Sequence, residues 1–377
     1  MAQPKYITDV SKLTQIPKPE RDALKRVTEK YAFRANDYYL GLIDWSNPDD
    51  PIRKLVIPNK GELKEYGRWD ASAEKTNYVV PGCQHKYTTT AVLIVSEVCG
   101  AYCRYCFRKR LFRNDVNEAI SNVEPGLEYI AAHPEINNVL LTGGDPLILS
   151  TKRLRNIIQR LRAIEHVQVI RIGSKLPVFN PMRIYEDQEL LELIKEYSTP
   201  EKRIYIMAHI NHPVELTEQA KQAFDALISA GAIVVNQTPI LKGINDDPAV
   251  LGELLNKISW AGVTPYYFFV NRPVAGNSDF VLPLKKLYEL VEQAKAMTSG
   301  LGKRVRLVMS HVSGKIEILA IEKGKAYLKY HQSRDNAYGK FVVLDCPDNA
   351  AWFDDLPGNE QYWDKPTDED DPMSAAS

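Results

Sequence analysis

The chain has 377 residues, 44% hydrophobic and 25% charged, ordinary values for a globular protein of one large domain with appendages or of two domains. Forty-eight Lys and Arg against 48 Asp and Glu leave no formal net charge, so composition gives no reason to expect nucleic acid or an anionic membrane as a partner. No apolar run reaches the roughly 18 residues of a membrane span. The N-terminal MAQPKYITDVSKLTQIPKPERD lacks the apolar segment of a secretory signal, so a cytoplasmic protein is expected.

Apolar and aromatic positions recur at helical spacing from about Ser11 to Ile43 (Leu24, Val27, Tyr31, Tyr38, Tyr39, Leu42), which predicts helix there. The Pro- and Asp-rich stretch Asn47–Pro51 breaks it, and residues 52–89 read as mixed. From Thr90 short apolar runs alternate with amphipathic segments. The runs predict strands at Val92–Val98, Asn138–Leu141, Val167–Ile172, Ile204–Ala208, Ile233–Thr238 and Pro265–Val270. Helical patterns follow at Lys152–Ile164, Asp187–Tyr197, Thr217–Ala230, Ala249–Ala261 and Leu284–Met297. Six such units imply an α/β fold with a parallel sheet, a partial (β/α)6 barrel open on one side, since eight would close an ordinary barrel. After Gly300 the rhythm becomes β-rich: Arg304–Met309, Ile316–Ile321, Ala326–Tyr330 and Lys340–Leu344 read as antiparallel strands. The expected organisation is an N-terminal extension to residue 89, a barrel over 90–299, a C-terminal extension over 300–364 and an acidic, disordered tail over 365–377.

Five cysteines are present, and Cys99, Cys103 and Cys106 lie within eight residues as Cys99-Gly-Ala-Tyr-Cys103-Arg-Tyr-Cys106-Phe-Arg108. The motif follows the first predicted strand, at the strand end where β/α barrels build their sites. A CxxxCxxC loop offers three thiolates to three irons of a 4Fe-4S cluster and leaves the fourth iron free to bind a ligand. A structural zinc site would need a fourth ligand, and Cys83 and Cys346 are isolated. After the second strand, Gly143-Gly144-Asp145 combines two residues that let backbone approach a ligand with one carboxylate suited to an ammonium.

The CxxxCxxC loop and the Gly-Gly-Asp turn resemble the two signatures of radical S-adenosylmethionine enzymes. That resemblance implies an open iron chelating S-adenosylmethionine, whose reductive cleavage gives a 5′-deoxyadenosyl radical. An electron donor such as flavodoxin or ferredoxin would then be a partner. The likeness extends from about Tyr38 to Lys315 and is to the lysine 2,3-aminomutase family. Its segments are Asp49–Pro58, His85-Lys86-Tyr87, Arg171-Ile-Gly-Ser174, His209-Ile-Asn-His-Pro213, Asn236-Gln237, Lys242–Asp246 and Pro265-Tyr-Tyr267. The family moves an amino group between adjacent carbons of a free amino acid and uses pyridoxal 5′-phosphate. The resemblance implies Lys315, in Ser313-Gly314-Lys315, as the lysine holding that cofactor. It implies Lys86 and Tyr87 near its phosphate, with Thr90 where the family has a second arginine. It further implies Tyr105, Ser174, His209, Asn236 and Gln237, with Gly143, Gly144 and Asp145, about the cofactors, and Arg108 on the substrate carboxylate.

Lysine-specific members hold the distal ammonium with two aspartates. Here Arg272 takes the place of one, and Val308–Val312 carries no carboxylate for the other. Like charge in a low-dielectric pocket is costly, so lysine is not the expected substrate and glutamate or another acidic or neutral amino acid is. Other readings stay open: a radical enzyme of the same family that acts on a protein lysine side chain or works without pyridoxal phosphate, and a non-catalytic iron–sulfur electron-transfer or regulatory protein. The cysteine-rich zinc segment that joins subunits in bacterial lysine enzymes has no match here. A homo-oligomer is therefore an open expectation.

Overall fold

The computed structural model describes residues 3–113, 122–334 and 339–363. The acidic tail expected over 365–377 lies outside the described residues. Strands β1 (Tyr6–Ile7) and β2 (Ala35–Asn36) form a small antiparallel pair. Among the described residues, twelve more form one sheet whose spatial order follows the chain. They are β3 (Tyr78–Val80), β4 (Cys83–Tyr87), β5 (Thr90–Ser96), β6 (Asn138–Gly143), β7 (Val169–Ser174), β8 (Ile204–Ala208), β9 (Ile233–Ile240), β10 (Thr264–Val270), β11 (Arg306–His311), β12 (Gly314–Glu322), β13 (Lys325–Ser333) and β14 (Phe341–Asp345).

Strands β5 to β11 are mutually parallel. Their crossovers carry α2 (Glu124–Ala132), α3 (Thr151–Ala163), α4 (Gln188–Tyr197), α5 (Glu218–Ser229), α6 (Pro248–Trp260) and α7 (Leu284–Ala296), after an N-terminal α1 (Lys18–Lys30). The cause is local. Ser150, Asp187, Thr217 and Asp247 each accept a backbone N–H in the first turn of α3 to α6, and Pro248 occupies the first position of α6. Val139, Leu141, Ile204 and Ile206 from the strands, and Phe224, Leu227, Leu254 and Leu255 from the helices, are wholly buried in the one core that sheet and helices share. This is the partial α/β barrel that the periodicity predicts.

Two expectations are corrected. The run from Ser11 to Ile43 is not one helix: Pro17 starts α1, which stops at Lys30, and the rest is helical only in a 3-10 turn at Val10–Lys12 and one α turn at Asp37–Leu40. Tertiary contacts override the period. The Asn36 side chain caps that turn and donates to Phe179 O, while the Tyr38 and Tyr39 hydroxyls reach Thr217 and Glu215. The segment read as an antiparallel strand at Arg304–Met309 is β11. It lies parallel to β10, because α7 supplies a crossover, and the antiparallel ladder begins only at β12.

Candidate active site

The cysteine loop leaves β5 and is clamped by the N-terminal extension. Arg34 Nε donates to Cys99 O at 2.9 Å, Tyr102 N donates to Arg34 O at 2.8 Å, and Arg104 N donates to Leu55 O at 2.8 Å. Arg104, between the second and third cysteines, is 2% exposed and paired with buried Glu62 at 2.6 Å. Lys109 Nζ closes the loop onto Arg104 O. Cys99, Cys103 and Cys106 are half-buried, free thiols. Burial pushes all three up, Cys103 to about 12, and Cys106 adds to the shift of the other two. Uncompensated thiolates are costly here and a cationic metal centre reverses that cost, so the donor set fits iron. Among the described residues no three His, Cys, Asp or Glu side chains converge as a site for a single metal ion. A cubane asks for something else: each thiolate takes a different iron.

The Gly-Gly-Asp turn is stitched to the strand that feeds this loop. Gly144 N donates to Ser96 O at 2.6 Å and Asp145 N to Val98 O at 2.8 Å. A Cβ on Gly143, at φ +120°, would meet Ser96 O at 2.4 Å, and one on Gly144 would meet Val98 O at the same distance. These glycines thus serve backbone against backbone. The Asp145 carboxylate accepts from Ser174 Oγ and from the backbone N–H groups of Leu147, Lys175 and Leu176 at 2.8–3.0 Å. Burial holds it up at about 6 against those bonds. Ser174 is therefore tied to Asp145.

Beside the loop, buried polar atoms lack protein partners: His209 Nε2, Asn211 Nδ2, Asn271 Nδ2 and Asn277 Oδ1. They surround Tyr105, whose hydroxyl donates to Asn211 Oδ1 at 2.6 Å, whose carbonyl accepts from Asn277 Nδ2 at 2.9 Å, and whose ring centre is 5.9 Å from that of His209. Burial, with Lys175 nearby, pulls His209 down to about 3, so it is neutral. Such a concentration of unpaired buried atoms calls for a polar ligand. Asn236 is not among them: it bonds Ile210 and Thr238 and holds the loop after β8. Gln237 is half-buried opposite Tyr267 in the β9–β10 register.

Farther along the barrel mouth stands a group of cations. Lys315, at the start of β12, holds its Nζ over the rings of Tyr267 (4.5 Å) and Phe269 (5.6 Å). Burial first, then Arg171, Arg272 and Lys86, lower its amine to about 7. Lys86 Nζ donates to His311 O at 2.6 Å and is likewise lowered to about 7, by burial first. Arg272 lies over the Phe107 ring at 3.9 Å and donates to Ser72 Oγ at 2.8 Å. Tyr87 is half-buried near Arg272, its hydroxyl pushed up to about 12 by burial.

Arg108 is already paired. Its Nε and Nη2 meet Glu74 at 2.8–3.2 Å, and Nη1 donates to Thr142 Oγ1 at 2.9 Å. Arg110 also binds Glu74, at 2.9 Å, and faces Asp70 at 3.6 Å. The two guanidiniums hold Glu74 well below the usual carboxylate range despite its burial. Glu62, Glu74, Asn271 and Asn277 carry no motif in the sequence, and Asn211 shows there only as a member of His209-Ile-Asn-His-Pro213. A cavity of about 520 Å³ between α1 and the Lys242–Gly243 turn shares no residue with this site.

The radical SAM superfamily model matches residues 93–255. A provisionally named L-lysine 2,3-aminomutase of Aquifex aeolicus (strain VF5) is 51% identical over 93% of this chain and 94% of its own length. The L-lysine 2,3-aminomutase of Fusobacterium nucleatum is 36% identical over 78% of this chain and 68% of its own. The glutamate 2,3-aminomutase of Clostridioides difficile is 34% identical over 78% and 70%.

Proposed function

The chain belongs to the lysine 2,3-aminomutase family of radical S-adenosylmethionine enzymes, and from that premise we propose that it moves an amino group between carbons 2 and 3 of a free amino acid other than lysine, with glutamate the leading substrate. In such an enzyme the cluster and S-adenosylmethionine supply the radical and pyridoxal phosphate carries the migrating amino group.

In this reading Cys99, Cys103 and Cys106 hold the 4Fe-4S cluster, on a loop kept rigid by Arg104 and Glu62. His209, Asn211, Asn271 and Asn277 offer S-adenosylmethionine their unpaired polar atoms. Gly143, Gly144 and Asp145 shape the neighbouring wall, because the Asp145 carboxylate is spent on backbone N–H groups and Ser174. Lys315 holds pyridoxal phosphate: its amine is neutral from about pH 7 upward, the state a carbonyl requires. Arg171, with Lys86 in part protonated near pH 7, gives the phosphate a cationic setting in place of the arginine that Thr90 replaces, which leaves Arg272 to the substrate. Arg108 takes the α-carboxylate with the two N–H donors that Glu74 and Thr142 leave over.

The observation that carries the choice of substrate is the charge around Lys315. Arg272, Arg171 and Lys86 face it, and the nearby carboxylates Glu74 and Asp70 are engaged by Arg108 and Arg110. A distal carboxylate suits that field and an ammonium does not. The test is an anaerobic screen of free amino acids with reduced enzyme, S-adenosylmethionine and pyridoxal phosphate, scored by β-amino acid formed. Conversion of lysine in preference to glutamate overturns the proposal.

A further inference from the structure

Beneath the turn that carries Lys315 runs a hydrogen-bonded chain through His311, Ser313 and Asp354, none of which the reading above uses. His311 ends β11 with its side chain 2% exposed. Ser313 N–H points at His311 Nδ1, 3.2 Å away. A backbone N–H only donates, so Nδ1 accepts and the ring proton sits on Nε2. Nε2 lies 2.9 Å from Asp354 Oδ1 and donates to it. Ser313 Oγ is 2.7 Å from Nδ1 and 2.9 Å from Tyr330 OH. The His311 carbonyl receives Lys86 Nζ.

Asp354 comes from a short 3-10 turn, Phe353–Asp355, in the segment that folds back after β14. That segment is itself fixed. Asp355 accepts the N–H groups of Ala351 and Trp352, and Asn359 Nδ2 donates to Asp354 O at 3.1 Å. Its aromatic side chains wrap the imidazole: Trp363 edge-on at 4.4 Å, Phe353 at 5.1 Å and Trp352 at 6.3 Å. The ionisable groups facing the ring are Asp354, Lys86 and, through Ser313, Tyr330.

We infer that this C-terminal strap completes the active site: Asp354, acting through His311 and Ser313, is a positioning residue that holds the turn 311–315 and keeps the Lys315 amine aimed into the barrel mouth and away from water. Side chains pin the turn here. Ser313 is the last residue of the two-residue turn that His311 and Gly314 close, and only Gly314 separates it from Lys315, so a shift of one carries the other. Without Asp354 the Nε2–H is buried with no acceptor, and the imidazole must move or take water into the strap. Either opens the turn. The inference deepens the reading above and rests on it only for what Lys315 holds.

The test is the pH dependence of Lys315 acylation by acetic anhydride, followed by peptide mass spectrometry on the full chain before pyridoxal phosphate is added. In the unmutated protein the midpoint is expected near 7. In Asp354→Ala and in Ser313→Ala it should rise by about one unit or more toward an ordinary lysine, with Asp354→Asn, whose amide oxygen still accepts the Nε2–H, recovering part of the shift and iron content reporting that the barrel is intact. An unmoved midpoint in both variants overturns the inference, as does an ordinary lysine midpoint in the unmutated chain. A midpoint near 7 that moves as stated, together with failure of borohydride to fix any pyridoxal label, supports the strap and sinks the pyridoxal reading alone.

Discussion

Glu74 grips Arg108 through Nε and Nη2, and Thr142 Oγ1 takes Nη1, so three of the five guanidinium donors are used before any substrate arrives. Glu74 also pairs with Arg110. Both partners are about nine-tenths buried, and removing one charge from such a group leaves the others uncompensated, at a cost of about 3–5 kcal/mol. Glu74→Gln is therefore expected to lower the denaturant midpoint markedly and to raise KM for the amino acid more than it lowers kcat. A variant as stable as the parent would contradict the role given to Glu74.

Anaerobically reconstituted protein is expected to hold about four irons per chain. Cys103→Ala should lose them together with 5′-deoxyadenosine formation. Cys83→Ala and Cys346→Ala should keep both. Cys83 is wholly buried in β4, next to Leu93 and beneath Gly126 of α2, where burial pushes its thiol up to about 12. Loss of iron from Cys83→Ala would break the three-ligand assignment.

Much of this site was legible in the sequence because its signals are local. The β/α rhythm depends on periods of two and 3.6 residues, and the cysteine loop follows β5 directly in the chain. What escaped depends on pairs far apart in sequence: Glu62 with Arg104, Glu74 with Arg108, and Asp354 with His311, separated by 42, 34 and 43 residues. No local pattern marks such partners. Asp145 was visible but its use was not, since the N–H groups converging on it belong to two different strand ends. The N-terminal helix was overextended because Tyr38 and Tyr39 keep helical spacing while answering to Thr217 and Glu215.

Borohydride reduction in the presence of pyridoxal phosphate should place the label on Lys315. Above about pH 7 its amine is neutral and reactive, and below it the charged form prevails, so labelling should be half-maximal near 7. Lys323 and Lys325 in the next hairpin are open to solvent and paired with Glu322 and Asp345. A label found on either of them would refute the assignment.

Arg272 is expected to decide the substrate. Burial lowers its guanidinium to about 10, so it stays charged at neutral pH, fixed over Phe107 and by Ser72. An ammonium about 4 Å away would meet like charge at a cost of about 4 kcal/mol in a protein-surface dielectric, nearly three orders of magnitude in binding. A carboxylate reverses the sign and allows a two-point pair with the planar fork. Glu74, the nearby acid, gives no relief, because Arg108 and Arg110 already claim both of its oxygens. Glutamate should therefore be converted to its β-isomer by reduced enzyme with S-adenosylmethionine, and Arg272→Asp should weaken that conversion by about a hundredfold or more, mostly in KM. Arg272→Lys should fall between, since a point charge replaces the fork. Efficient turnover of lysine by the unmutated protein, or an Arg272→Asp variant that handles glutamate as well as the parent, would show that the guanidinium does not face the distal end of the substrate.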